Sequence, residues 1–319
     1  MNALRKVLLL GGTGFVGQAV CERLVERDSA MRLTVPTRRM AHAKAVQFLP
    51  TVDPVECNVH DDAQLGRLVA GHDAVVNLIA ILHGSAAEFD KVHVQLPRRL
   101  AEACRAAGVQ RVVHVSALGV AADAPSNYLR SKAAGEAALQ AAGLELSILR
   151  PSVIFGAGDS FLNLFAALQS VAPVMPLAGA DARFQPVWVQ DVAEALLRCL
   201  ERQDTIGQTY ECAGPEVYTL RELVQLAGRL CGHERPVLPL PVTFGRMQAV
   251  MMEMLPGRPL MSRDNILSMQ VPNVASGILP GLPALGITPS PLDAAAPQYL
   301  APGQGVARFN RWRAAHFRG

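Results

Sequence analysis

Residues 6–20 read KVLLLGGTGFVGQAV. A short apolar run enters a turn with glycine at 11, 14 and 17 and leaves it as a helix. Gly11 permits the tight turn after a strand, Gly14 lets the backbone approach a pyrophosphate, and Gly17 lets the helix pack closely on the sheet. Backbone N–H groups around Thr13, Gly14, Phe15 and Val16 then face phosphate at the positive end of the helix. Three glycines alone are a weak sign and could be a structural turn. A strand before them and a helix after them turn the pattern into a dinucleotide-binding loop.

Working outward, β-branched apolar runs alternate with amphipathic stretches. The strands are expected at Lys6 to Leu10, Arg32 to Pro36, Val52 to Cys57, Ala74 to Leu78, Val112 to Ser116 and Leu146 to Leu149. Helices are expected at Val16 to Glu26, Ala41 to Phe48, Ala63 to Val69, Phe89 to Ala107, Tyr128 to Ala141, Val192 to Leu200 and Leu220 to Leu230. Strands that alternate with helices and are apolar throughout imply parallel βαβ units covered on both faces. The fold class is therefore α/β, a Rossmann-type doubly wound parallel sheet. After Arg150-Pro151 prolines and glycines break the rhythm. Residues 1–155 read as the nucleotide-binding domain, and residues 156–319 as a smaller C-terminal substrate subdomain partly interleaved with the sheet.

At 319 residues with only 18% charged, the chain can bury a large core and disorder is not the default reading. The net charge of +3, without a run of like charges, offers no reason to propose nucleic acid as a partner. The apolar run near the start is too short for a signal peptide, and no stretch reaches the ~20 apolar residues of a membrane span. The six cysteines stand singly, with no ligand spacing, so no metal is expected and the cysteines read as reduced in a cytoplasmic protein.

The end of the second strand selects the nucleotide. A carboxylate there would accept from the ribose 2′-hydroxyl of NAD, whereas the 2′-phosphate of NADP needs cations. The sequence offers Thr37, Arg38 and Arg39 and no acid. Guanidinium forks suit phosphate oxygens, which favours NADP(H); solvated surface arginines are the other reading.

Tyr128 and Lys132 lie in YLRSK, four apart and so on one helix face. A nearby ammonium is expected to lower the phenol toward the working range and make it an acid–base group. GGTGFVG, the strand ending NLIA, YLRSK, and LRPSVIFG together resemble the extended short-chain dehydrogenase/reductases. In those enzymes the tyrosine faces the substrate and the lysine holds the nicotinamide ribose. The combination SALG, YLRSKAAGE, LRPSVIFGAGDSFLN, FQPVWVQDVAEA and RPLMSRDNILSMQ is similar to a narrower, atypical group. That group includes the accessory nucleotide-binding subunit of respiratory complex I and stand-alone bacterial relatives. The resemblance runs from Val7 to about Val274 and implies tightly held NADP(H), with quinones or membrane complexes nearby in some members. It places Asn58 and Val59 near the adenine, Leu78 and Ala80 against the cofactor, and Pro151 to Ile154 near the nicotinamide; each could equally be core or turn. One partner is missing: the hydroxyl expected beyond the fifth strand falls near Leu118, and neither Ala117 nor Leu118 can donate. Ser116 reads as a cofactor or turn contact.

His83 and His93 lie where a substrate loop would be but lack ligand-spaced partners; they read first as structural or surface residues and second as functional ones. Phe244, Met247, Met251 and Met254, at helical spacing, read first as a core helix and second as the lining of a pocket for an apolar small-molecule substrate. Near the C-terminus Arg308, Arg311, Arg313 and Arg318 interleave with Phe309, Trp312 and Phe317. Peripheral contact with the inner membrane or a protein complex is one reading, and a docked or frayed end is the other.

Three functions stay open. The first is a reductase of a carbonyl or quinone-like substrate, with Tyr128 as proton donor and Lys132 holding the ribose. The second is a non-catalytic NADP(H)-binding scaffold or redox sensor. A nucleotide-sugar epimerase or dehydratase ranks third, because the hydroxyl is missing.

Overall fold

The computed structural model describes residues 4–28, 30–241, 247 and 261–301. The chain divides into two compact units. The first comprises Met1–Pro151, Gln190–Cys212 and Ser276–Ile287, and the second Ser152–Val189, Ala213–Ala275 and Thr288–Gly319.

The first unit is built on β1 (Lys6–Leu10), β2 (Arg32–Thr37), β3 (Val52–Glu56), β4 (Ala74–Asn77), β5 (Arg111–Val115) and β6 (Glu145–Pro151). The short strands β7 (Ile154–Phe155), β8 (Met175–Ala178), β9 (Arg183–Phe184) and β10 (Val187–Trp188) belong to the second unit; β11 (Thr209–Cys212) returns to the first. Seven strands stand in the order β11-β6-β5-β4-β1-β2-β3, and every pairing is parallel. The order reverses direction between β1 and β4, so the carboxyl ends of those strands open a crevice.

Helices α1 (Phe15–Arg27), α2 (Asp62–Val69), α3 (Ala86–Asp90), α4 (Leu96–Ala107), α5 (Asn127–Gln140) and α7 (Val189–Glu201) cover the sheet, with α6 (Leu162–Val171) in the second unit. On one face Leu8, Leu10, Val75, Val112 and Ile148 pack with Leu65 and Val69 of α2, Leu96, Leu100 and Cys104 of α4, and Leu139 of α5. Each fully buried leucine contributes roughly 1.5–3 kcal/mol. Val7 and Leu9 point the other way and are equally buried, as a strand covered on both faces requires. Helices α1 and α7 lie side by side. Arg27 bonds Glu194 at 2.8 Å and Glu201 at 2.8 Å, and Arg23 Nε donates to Gln190 Oε1 at 3.1 Å.

Two expectations need correction. The helix expected over Ala41 to Phe48 is a single 3-10 turn at Met40–Ala43 followed by further turns. Only Ala43 and Val46 are buried there, too narrow a stripe to hold a helix down, and Phe48 is 83% exposed. The helix expected over Phe89 to Ala107 is interrupted by a π turn at Lys91–Gln95, with the Leu96 N–H bonded to the Lys91 carbonyl. Strand β11 and helix α6 had no counterpart in the sequence reading; β11 is four residues long, with a carboxylate at Glu211.

In the second unit α8 (Leu220–Cys231) and α6 enclose a core of Phe155, Leu162, Phe165, Leu177, Leu223 and Val224. Gln169 crosses it: its amide donates to Val224 O at 2.8 Å and its carbonyl accepts from Arg235 N at 3.2 Å. Of the Phe244–Met254 methionine segment only Met247 is described, as an exposed helical residue; the rest, and all of Arg308–Arg318, lie outside the described residues. Among those described, no helix is long and apolar enough to cross a membrane, and no three His, Cys, Asp or Glu side chains converge.

Candidate functional site

The glycine loop leaves β1 at Gly11, whose φ of +86° an L side chain rarely adopts. A Cβ there would also stand 3.2 Å from the backbone of Leu78, so the loop rests on the residue that follows β4. Leu78 in turn donates its N–H to Leu10 O at 2.9 Å. Gly17 is used differently from the sequence reading: a Cβ would lie 2.3 Å from the Gly11 carbonyl oxygen, so what it admits is the loop itself. Gly12, absent from that reading, lies under Val35. Gly14 caps α1 without any side-chain bond, and the first turn holds no acid. The N–H groups of Phe15 and Val16 therefore open the helix with its positive end uncompensated by side chains. Thr13 is half-buried and its carbonyl accepts from Gln18 Nε2 at 3.0 Å.

Arg38 and Arg39 are exposed just beyond β2, with buried Thr37 turning the chain through a 3.0 Å bond from Oγ1 to Arg39 O. Asn58 is exposed, and its side-chain oxygen is committed to the His60 N–H at 3.1 Å; Val59 is buried in the core under the sheet. Leu78 is half-buried and Ala80 exposed. Pro151 ends β6, where its carbonyl accepts from Leu118 N at 3.0 Å, whereas Ile154 belongs to the second unit, paired with Val187.

Beyond β5 the surroundings change from open backbone to buried side chains. Ser116 is 4% exposed and its hydroxyl has no protein partner. Ser126 caps α5 through the Leu129 N–H, which places Tyr128 on the first turn and Lys132 one turn on. Lys132 is 2% exposed and its Nζ donates to Val115 O at 2.6 Å. Burial draws this ammonium from 10.5 down to about 8, opposed by the Glu136 carboxylate one turn further along. Glu136 receives a two-pronged bond from Arg150, Nε to Oε1 at 3.0 Å and Nη2 to Oε2 at 2.5 Å. The phenol of Tyr128 departs from expectation: burial pushes it up to about 12. The charged phenolate is disfavoured, so the group stands here as a neutral donor.

Around it sit residues that sequence spacing did not connect. Phe89 and His93 meet the Tyr128 ring edge-on, with centroids at 6.1 and 5.5 Å. His93 is buried, and burial, with Lys132 nearby, lowers its imidazole to about 3. Asn77, at the end of β4, bonds His114 of β5 at 3.2 Å, and its oxygen accepts from Ile79 N. The i, i+4 spacing of Lys132 and Glu136 is visible in the sequence, which singles out His93 without its partners and gives no sign of His114, 37 residues from Asn77.

A parallel sheet reversing at β1/β4, a glycine turn between β1 and α1, and a Tyr/Lys pair on the helix after β5 are now all in place. The chain belongs to the NAD dependent epimerase/dehydratase family. The match spans residues 7–213. A curated relative is NADH dehydrogenase (ubiquinone) 1 alpha subcomplex subunit 9, mitochondrial, of Mus musculus, 30% identical over 292 residues, covering 89% of this chain and 77% of the relative. A bacterial family relative is the ceramide reductase of Caulobacter vibrioides, 30% identical over 238 residues, with 74% and 73% covered. The fold matches DesIV, the dTDP-glucose 4,6-dehydratase of Streptomyces venezuelae solved with NAD and TYD bound, at a TM-score of 0.72 and 21% identity, covering 92% and 95%. It also matches the UDP-glucuronic acid 4-epimerase of Bacillus cereus, at a TM-score of 0.66 and 16% identity over 92% and 98%.

Proposed function

We propose that the chain binds NADP(H) and is a reductase acting on a carbonyl or quinone-like substrate. The observation that carries the reading is the pair of half-buried Tyr128 and buried Lys132 at the carboxyl edge that also holds the glycine loop. Two features suit a dinucleotide: the loop where Cβ atoms would clash, and the buried Ser116 hydroxyl with a hydrogen bond to give. The loop and the start of α1 would take the pyrophosphate, and Arg38, with Arg39, the 2′-phosphate. Lys132 would hold the nicotinamide ribose.

Bound NADPH supplies a hydride, which with one proton reduces C=O to CH–OH. The residues supply the rest. Tyr128 holds the proton on a phenol that burial keeps neutral, and gives it to the carbonyl oxygen as charge develops there. Lys132, ammonium below about pH 8, stabilises the phenolate left behind. The Glu136–Arg150 pair keeps that ammonium charged and in place. The two relatives support a reductase in different ways, one by its printed name and the other as a subunit of a redox assembly. The proposal includes a cytoplasmic protein, peripheral to such an assembly or to the inner membrane.

A specific observation favours a second reading, a non-catalytic NADP(H)-binding scaffold or redox sensor. Leu118, 1% exposed, fills the position where a substrate-holding hydroxyl was expected. The deciding experiment is to identify the nucleotide released on denaturation, then add quinone and carbonyl acceptors to the native protein. The reductase reading expects NADPH whose absorbance bleaches with an acceptor, and Tyr128→Phe to lower that rate by at least about a hundredfold. Bound nucleotide inert to every acceptor, with Tyr128→Phe altering neither affinity nor stability, would leave the scaffold.

A further inference from the structure

Between the loop after β4 and the Tyr128 turn runs a part-buried chain of three hydrogen bonds with a fixed polarity. Ile81, in the loop after β4, donates its backbone N–H to His93 Nε2 at 3.1 Å. A backbone N–H can only donate, so Nε2 must accept, and the neutral ring carries its proton on Nδ1. Nδ1 lies 2.9 Å from Ser131 Oγ, and Ser131 Oγ donates to Tyr128 O at 2.8 Å. One tautomer of one charge state satisfies all three bonds. A protonated ring would set N–H against the Ile81 N–H, and burial beside Lys132 keeps the ring from that state.

The backbone holds the same residue from its other side. His93 sits in the π turn Lys91–Gln95, and its carbonyl oxygen meets Gly135 of α5 so closely that an added Cβ would lie 2.0 Å away. Such turns depart from regular helix geometry and concentrate at functional sites. Here the wider turn lets one residue hold α5 twice, by its ring through Ser131 and by its carbonyl at Gly135. The loop it holds at the other end is continuous with Leu78, on which Gly11 rests. The imidazole thus joins the two parts of the candidate site without being exposed to it.

We propose that His93 is a positioning residue: a neutral, Nδ1-protonated imidazole that sets the spacing between the loop after β4 and the Tyr128 turn, and so the seat of the nicotinamide half of the nucleotide. This rests on the nucleotide reading above. A merely structural histidine would affect binding of the whole molecule or of none of it. A positioning one acts on the nicotinamide half alone.

The test compares affinities for NADPH and for adenosine 2′,5′-bisphosphate, which lacks the nicotinamide half, in wild type, His93→Phe, His93→Asn, Ser131→Ala and the His93→Phe/Ser131→Ala double variant. His93→Phe and Ser131→Ala are each expected to weaken NADPH about tenfold, the size of one lost hydrogen bond, and to leave the bisphosphate unchanged. The double variant should be no worse than the worse single, because both break one chain. His93→Asn, keeping a donor toward Ser131, should recover part of the loss. Thermal melts establish that each variant is folded, and if His93→Phe is not, Ser131→Ala carries the comparison. Equal weakening of both ligands, or of neither, overturns the positioning role. Wild type binding neither ligand overturns the nucleotide reading itself, a distinct failure that takes His93's role with it.

Discussion

The glycine loop after β1 and the Tyr128 turn of α5 stand at the carboxyl edge of one sheet and are built in opposite ways. The loop is made of backbone: no side-chain cap, no acid in the first helical turn, and glycines wherever a Cβ would collide. The Tyr128 turn is made of side chains, with Lys132, Glu136, His93 and His114 each no more than 2% exposed. Backbone dipoles are held in place by the fold and keep no proton, so the loop can receive an anion without titrating. Buried ionisable groups must find partners or change charge, so the second region is defined by its protonation states. In the proposed function the backbone-built loop would take the phosphates and the side-chain-built turn the proton.

The largest test of this contrast is steric. Gly17→Ala and Gly135→Ala each place a methyl where backbone oxygen already stands, and each is expected to cost about 2–4 kcal/mol in urea unfolding. If Gly17→Ala were neutral in stability, the loop would be softer than its geometry implies and the contrast would weaken.

Charge comes next. Glu136→Gln removes the partner of a half-buried guanidinium and the neighbour of a buried ammonium, with an expected loss of about 2–3 kcal/mol. The pH dependence carries the finer information. Lys132 is held near 8 against an ordinary 10.5, so between those values the unfolded chain binds more protons than the folded one. Stability therefore rises with pH across that window, and Lys132→Met should remove the rise. In Glu136→Gln the window should open at a lower pH, because the group that supported the ammonium is gone. A flat wild-type profile from 8 to 10.5 would mean that Lys132 is solvated.

The smallest expected effect lies on the open side. Arg38→Ala should weaken NADPH about tenfold and NADH hardly at all, read by fluorescence titration. Equal effects on both nucleotides would remove Arg38 from the 2′-phosphate.

The legible part of the site was its local part. Gly11, Gly14 and Gly17 could be placed because a strand, a turn and a helix within fifteen residues carry their own periodicity. Tyr128 and Lys132 could be paired because four residues make one helical turn. The direction of the Tyr128 shift could not be read, since the sequence shows the ammonium nearby and conceals the burial that outweighs it. The contacts of His93 are not legible in the sequence, because its partners, Ile81 and Ser131, are 12 and 38 residues away.

Sequence alone determined the alternation of strands and helices, the parallel sheet and the place of the glycine turn, since these follow from hydrophobic period and backbone freedom over a few residues. Only the tertiary structure decided which groups share a desolvated space: Ser116 with a hydroxyl left over, Lys132 bonded to the Val115 carbonyl with the Glu136 charge nearby, and His93 fixed between a loop and a helix. Burial depends on elements far apart in the chain, and the cost of a charge depends on burial. The charge states that would give this protein its chemistry are therefore written in its packing.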